Sequence, residues 1–265
     1  MSENVTLCSW CLMPINSDPI CMVTSKGCPY IGDMSKCDIK STPYDPDMEM
    51  NISEMYPAIS GEGTSAGMVC TIIRTVGCNL RCNFCDSKYS YSGGDKITVK
   101  NVVETVLKYG IDTVLFTGGE PLLNQKQSLA FLRAMLHHNI KVFVETNGTV
   151  DIAPFKLLAT MVMDVKCPSS GMHDKLLVSN FEYIGPFDEL KFVIGDYNDY
   201  EYTKHIVDTY NLFNKTTSIY VSPIWGDNFT EFVQQLSDWL VKDRSHLKLM
   251  IQQHKVIWGA IKRGV

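Results

Sequence analysis

Short apolar runs rich in β-branched residues recur from residue 69 onward: Val69–Thr75, Thr113–Thr117, Lys141–Glu145, Met161–Lys166, Glu189–Ile194, Ser218–Ser222 and Lys248–Gln252. Runs of that kind predict strands. Between several of them the apolar spacing changes to that of a helix. Leu129, Leu132 and Leu136 share one face, and so do Phe232, Leu236, Trp239 and Leu240 at i, i+4, i+7 and i+8. Those stripes read as core packing. Short strands alternating with helices predict a parallel sheet with right-handed crossovers. The expected fold class is α/β, a partial (open) β/α barrel with its chemistry at the C-terminal ends of the strands.

Residues 1–48 lack this periodicity and are rich in Cys, Pro, Asp, Ser and Lys. Lys40–Asp47, with Pro43 and Pro46 among polar neighbours, reads as a linker. The expected division is a Cys-rich extension and linker over 1–48 and a core domain over 49–265. The chain of 265 residues is 45% hydrophobic and 20% charged with a net charge of −5, near the globular average, which excludes wholesale disorder and fibrous repeats. No run of about 18 apolar residues exists, so no membrane span is expected. Met1-Ser2-Glu3-Asn4 is unlike a secretory signal, and the expected location is the reducing cytoplasm. The mildly acidic balance gives no support for nucleic-acid binding by the core.

Ten cysteines are the informative excess. Cys70 and Cys167 lie alone in apolar segments and read as buried small hydrophobes. Cys78, Cys82 and Cys85 form a C-x3-C-x2-C group directly after the first core strand. Three thiolates on one short loop can hold three irons of a [4Fe–4S] cluster. The usual full set is four cysteines, so a missing fourth leaves one iron open to a non-protein ligand. A structural zinc site wants four closed ligands, and no fourth lies near in sequence.

With that loop the chain resembles the radical S-adenosylmethionine (SAM) superfamily, in which the open iron chelates the amino and carboxylate groups of SAM. Two further segments carry the likeness. Thr117-Gly118-Gly119-Glu120-Pro121 follows the second strand, where glycines let backbone approach a ligand; the resemblance places Glu120 on the SAM ammonium. Glu145-Thr146-Asn147-Gly148 ends the next strand, placing Glu145 and Asn147 near the SAM ribose or amino-acid part.

A finer resemblance, over residues 52–265, is to the 7-carboxy-7-deazaguanine synthase family. It rests on Gly61-Glu62-Gly63-Thr64, Cys85-Asp86-Ser87-Lys88-Tyr89-Ser90, Asp164-Val165-Lys166-Cys167-Pro168-Ser169-Ser170-Gly171-Met172, and Gln252-Gln253-His254-Lys255 through Ile257-Trp258-Gly259 to Val265. The activity this implies is radical ring contraction of 6-carboxy-5,6,7,8-tetrahydropterin to 7-carboxy-7-deazaguanine and ammonia, in 7-deazapurine biosynthesis of the queuosine type. The implied cofactors are a [4Fe–4S] cluster, SAM and Mg²⁺. Cys78, Cys82 and Cys85 match the cluster ligands, and Ser87 falls where the family sets a hydroxyl on Mg²⁺, a hard cation that keeps few protein ligands. Ile59, Ser60, Gly61 and Glu62 match the pterin-contacting loop. Arg74 matches a residue facing the substrate carboxylate, a task its planar fork suits. Thr117 matches a substrate contact and Gly119 a SAM contact, while Asp164, Val165 and Lys166 match a SAM-binding strand end. His254 is a candidate for the substrate as well as for a structural role, and Val265 enters only through its terminal carboxylate. Glu62, Arg74 and His254 are the candidate catalytic residues. An electron donor of the flavodoxin or ferredoxin kind and a homodimer are implied too.

The chain departs from the family's pattern in carrying Ser60 where many members have Gln, and Cys167 where Pro is expected. The N-terminal extension, with Cys8, Cys11, Cys21, Cys28 and Cys37, is a third departure. A C-x2-C knuckle plus later cysteines can close a zinc site; free thiols and an auxiliary iron–sulfur cluster are the alternatives. Two other functional readings stay open. One is an activase placing a glycyl radical on a partner protein, against which Lys166–Met172 and the Gln-His-Lys tail argue. The other is a metal-knuckle binding module on an inactive core, against which the intact cysteines, Glu120 and Ser87 argue.

Overall fold

The computed structural model describes residues 43–259 and Gly264. Cys8, Cys11, Cys21, Cys28, Cys37 and Val265 lie outside the described residues. Nine strands form one sheet: β1 (Glu49–Ile59), β2 (Val69–Thr75), β3 (Asp95–Thr98), β4 (Thr113–Gly118), β5 (Lys141–Thr146), β6 (Thr160–Val165), β7 (Glu189–Ile194), β8 (Ile219–Pro223) and β9 (Lys248–Leu249). Their order is β3-β1-β2-β4-β5-β6-β7-β8-β9. From β2 to β9 every neighbour is parallel, as the strand–helix alternation predicts. β1 is antiparallel to both β2 and β3, an edge that the apolar pattern does not announce. Polar and apolar residues alternate along β1 from Glu49 to Ser53, but Glu54 breaks the pattern, and a bulge between Ile52 and Glu54 shifts its register.

Among the described residues five helices accompany the sheet: α1 (Val99–Tyr109), α2 (Gln125–His137), α3 (Tyr197–Thr209), α4 (Phe229–Lys242) and α5 (Gln253–Trp258). α1 buries Val99, Val102, Val103 and Val106, the i, i+3, i+4, i+7 stripe of a helix built from residues of low intrinsic propensity. Its ends are fixed locally. The Thr98 hydroxyl accepts from Asn101 N, and Gly110 closes the helix at φ 68°. α2 packs its Phe131 on Phe116 of β4, with ring centroids 4.6 Å apart. Among the described residues no helix is long and apolar enough to cross a membrane.

Side chains alternate across a strand, and this splits the inner face into two levels. Cys70, Leu115, Phe143 and Val162, from β2, β4, β5 and β6, form an apolar floor with Ala58 and Ile72 against it. Two residues further along, toward the C-terminal ends, the same face carries Thr117, Glu145 and Asp164. Arg74 lies opposite Thr117 in register, and Lys191 of β7 opposite Asp164. A level of polar groups thus stands on an apolar base.

Candidate active site

The cysteine loop leaves β2 at Thr75 and turns back on itself. Cys78, Cys82 and Cys85 are free of disulfides, and Cys82 is buried. Burial pushes the thiols of Cys78 and Cys82 up, while the Lys166 ammonium draws Cys82 down. Among the described residues no three His, Cys, Asp or Glu side chains converge on a point for a single ion. A cluster asks for a different arrangement, with one thiolate on each of several irons. The loop is pressed against the Gly-Gly turn after β4. Glu120 N donates to Gly77 O at 2.8 Å, and a Cβ on Gly119 would run into Gly77 O and come within 2.9 Å of Cys78 Cβ. Only glycine leaves that approach open.

Glu120 is 1% exposed, and its carboxylate accepts from Asn147 N at 2.7 Å, Thr146 Oγ1 at 2.9 Å and Leu122 N at 3.0 Å. It therefore ties the turn after β4 to the turn after β5. Burial lifts its carboxyl to about 7 against the pull of those donors. Asn147 extends the tie to the cysteines: its Nδ2 donates to Asn79 Oδ1 at 3.1 Å and lies 3.8 Å from Cys78 Sγ.

The far side of the site is held by charge. Lys191 Nζ lies 2.7 Å from Glu62 Oε2 and 3.7 Å from Asp164 Oδ2, and Lys166 Nζ is 2.9 Å from the same Asp164 oxygen. Gln252 Nε2 donates to the other Glu62 oxygen. Burial opposes the Glu62 charge, but Lys191 and Gln252 outweigh it and hold the carboxyl below its usual range. Lys191, likewise opposed by burial, is raised well above its ordinary value by Glu62, Asp164 and Glu145. Glu145, with Thr117 Oγ1 donating at 2.9 Å, is pushed up by burial and by the Glu62 charge. Asp164 Oδ1 is buried and has no hydrogen-bond partner among the described residues. A buried acceptor left unsatisfied marks a place where a ligand donor belongs.

The remaining sequence-predicted residues divide. Gln253 N donates to Gly61 O at 3.0 Å, and a Cβ on Gly61 would collide with the His254 ring, so the β1–β2 loop and α5 close on each other. Burial lowers His254, which favours its neutral form. Arg74 Nε donates to Glu54 Oε1 at 2.7 Å, and Tyr89 OH donates to the same oxygen at 2.8 Å. Ser87 Oγ donates to Asp86 Oδ1 at 3.0 Å, and Asp86 Oδ2 meets Lys255 Nζ at 2.7 Å. Desolvation would raise Asp86, but Lys255 and Ser87 bring it to about 2. Ser60 turns inward: it is 1% exposed, with its hydroxyl 2.7 Å from that of Ser65. Ile59 pairs with Val69 at the end of the hairpin.

A model of the radical SAM superfamily matches residues 72–165, the span from the cysteine loop through the Asp164 strand. A 7-carboxy-7-deazaguanine synthase of Koribacter versatilis is 33% identical over 226 residues, covering 82% of this chain and 100% of that one. Its counterpart in Clostridium acetobutylicum is 35% identical over 225 residues, with the same coverage. The chain belongs to the 7-carboxy-7-deazaguanine synthase family. Likeness of fold agrees: the crystal structure of QueE from Escherichia coli superposes with a TM-score of 0.61 at 19% identity, over 77% of this chain and 94% of that one.

Membership of the radical SAM superfamily implies a [4Fe–4S] cluster and SAM for this 7-carboxy-7-deazaguanine synthase family member. Its residues fit both groups. Three unpaired thiols share one loop, Gly119 keeps backbone clear beside Cys78, and Asp164 offers an orphaned acceptor. Lys191 is a site residue that sequence reading passes over. The signal was present, a lysine inside the apolar strand Glu189-Leu190-Lys191-Phe192-Val193-Ile194, where a charge needs a buried partner. Glu189 was passed over too; its carboxylate accepts from Thr64 N at 3.1 Å and from the Thr64 hydroxyl, pinning the β1–β2 loop to β7.

Proposed function

We propose that the chain converts 6-carboxy-5,6,7,8-tetrahydropterin to 7-carboxy-7-deazaguanine and ammonia by radical ring contraction. The observation that carries this reading is the alignment, over 82% of this chain and the whole of each relative, with proteins named 7-carboxy-7-deazaguanine synthase, at 33–35% identity. The polar level above the apolar floor supports it, since it lies in reach of the cysteine loop. A cluster held by Cys78, Cys82 and Cys85, with SAM beside it, would supply the radical chemistry for hydrogen abstraction from the substrate.

The chain's own residues bind and orient. Arg74, aligned by Glu54, faces the substrate carboxylate, and Glu62, kept ionised by Lys191, accepts from N–H groups on the pterin edge. Thr117 and neutral His254 complete the substrate side, with the Ile59–Gly61 backbone closing over it. Gly119, Glu120, Glu145, Asn147 and Asp164–Lys166 make the SAM side. Ser87 holds Mg²⁺ beside the substrate. Cys8 and Cys11 with two of Cys21, Cys28 and Cys37 would close a zinc site, the electron donor is a flavodoxin or ferredoxin, and the enzyme is a cytoplasmic homodimer.

The test is one anaerobic assay of the reconstituted chain with SAM, Mg²⁺, reductant and 6-carboxytetrahydropterin, read by mass spectrometry. The expected outcome is 7-carboxy-7-deazaguanine from the wild type and none from Cys82→Ala. SAM cleavage without deazaguanine would overturn the substrate while leaving the family in place.

A further inference from the structure

The two arms of the cysteine loop are anchored differently. The Cys78 arm lies against Gly119 and Asn147. Among the described residues, the arm from Cys82 to Cys85 has one main-chain hydrogen bond to another part of the chain, Asn83 N to Ser170 O at 3.1 Å. Asn83 adds a second with its side chain, Nδ2 to Ser169 O at 2.9 Å. Both acceptors belong to the turn Pro168–Ser170, which follows β6 and closes on Gly171 at φ 71°.

That turn is itself held from behind. Asp199, in the first turn of α3, is 0% exposed, and no lysine or arginine pairs with it among the described residues. Its carboxylate accepts instead from Ser169 N at 2.9 Å, from the Ser169 hydroxyl, and from Gly195 N at 2.8 Å. A Cβ on Gly195 would sit 2.8 Å from Ser169 Oγ, so the glycine keeps this approach open. Burying a carboxylate is costly unless its oxygens are fully hydrogen-bonded. Here three donors satisfy it, and two of them come from Ser169, whose carbonyl holds the Asn83 side chain.

We propose that Asp199 is a positioning residue for the iron–sulfur cluster, acting through Ser169 and Asn83 to fix the spacing of Cys82 and Cys85. The inference rests on the cluster reading of Cys78, Cys82 and Cys85. Asp199 touches no ligand; it sets the turn on which the less anchored arm rests. A carboxylate suits the task because two oxygens take three donors at fixed directions, whereas an amide would offer one acceptor and place an NH2 against an N–H.

The experiment uses the full chain, reconstituted anaerobically, and reads iron and sulfide per chain, the electron paramagnetic resonance spectrum of the reduced cluster, and the rate of iron loss to a chelator. Asn83→Ala removes only an exposed side chain and is the variant that keeps the fold. It should lose iron about fivefold to tenfold faster than wild type, the scale of one hydrogen bond, with a shifted resonance spectrum. Asp199→Asn should do the same. The double variant should be no worse than the worse single, because both cut one relay. Wild-type rates and spectrum in Asn83→Ala, or additive effects in the double variant, would overturn the inference while the cluster reading stands. A wild-type chain that takes up no cluster would overturn both.

Discussion

The two sides of the site solve one problem by different means. On the β2–β5 side, the groups around the cysteines are fixed by interlocking turns and their hydrogen bonds: Gly77 against Gly119, Glu120 on three donors, Asn147 on Asn79. On the β6–β9 side they are fixed by charge, with Lys191 between Glu62 and Asp164 and Lys166 beside them. The first side is rigid because neighbouring turns interlock. The second depends on a balance among ionised groups from segments as distant as residues 62 and 191. Substitutions on the two sides should therefore fail in different ways.

Gly119→Ala should have the larger effect. The new methyl would press on Gly77 O and Cys78 Cβ, and backbone cannot yield as a side-chain tip can. Displacing the cysteine loop by about 1 Å should cost roughly a hundredfold or more in turnover, together with most of the iron uptake. Iron per chain after reconstitution separates this from a substrate defect. Normal iron with normal turnover would show that the loop is not held where the structure puts it.

Lys191→Met should come next and should look different. Removing one partner of a buried ion pair costs about 3–5 kcal/mol of stability, and Glu62 and Asp164 would then repel. Iron content should stay at the wild-type level while kcat/KM falls about a hundredfold. Adding Glu62→Gln should recover part of the stability and none of the activity. If Lys191→Met lost iron as Gly119→Ala does, the division between the two sides would collapse.

The same division decides what was legible in the sequence. C-x3-C-x2-C, Gly-Gly-Glu-Pro and Glu-Thr-Asn-Gly are contiguous, because interlocking turns need adjacent residues, and so they can be read directly. The parallel strands were legible for a similar reason, their β-branched runs being buried on both faces. β1 was not, since a half-exposed strand carrying Glu54 and Pro57 loses its alternation after Ser53. Lys191 and Glu189 were hidden because an ion-pair network is assembled by the fold from positions more than a hundred residues apart. Ser60 is a different case: its side chain braces the β1–β2 loop through Ser65, and it is the backbone of Gly61 that meets α5.

Glu120 gives the finest test, because on its side of the site hydrogen bonds and burial pull in opposite directions. Three donors favour the ionised carboxylate, and complete burial favours the acid. With burial ahead, the carboxyl stands at about 7, above its ordinary 4.5. A group raised on folding contributes its full stability below the unfolded value and loses it as pH rises through the folded one. The cluster-free chain should thus lose on the order of 3 kcal/mol from this residue between about pH 4.5 and pH 7, at 1.36 kcal/mol for each unit. Other groups titrate in that window, so the quantity to measure is a difference, wild type minus Glu120→Gln, by denaturant unfolding at several pH values. That difference should move against wild type as pH rises. A flat difference would mean that the three donors win and Glu120 is ionised throughout. The β2–β5 side would then hold a fixed negative charge beside the cysteines, and the contrast with the ion-paired side would be one of partners rather than of charge.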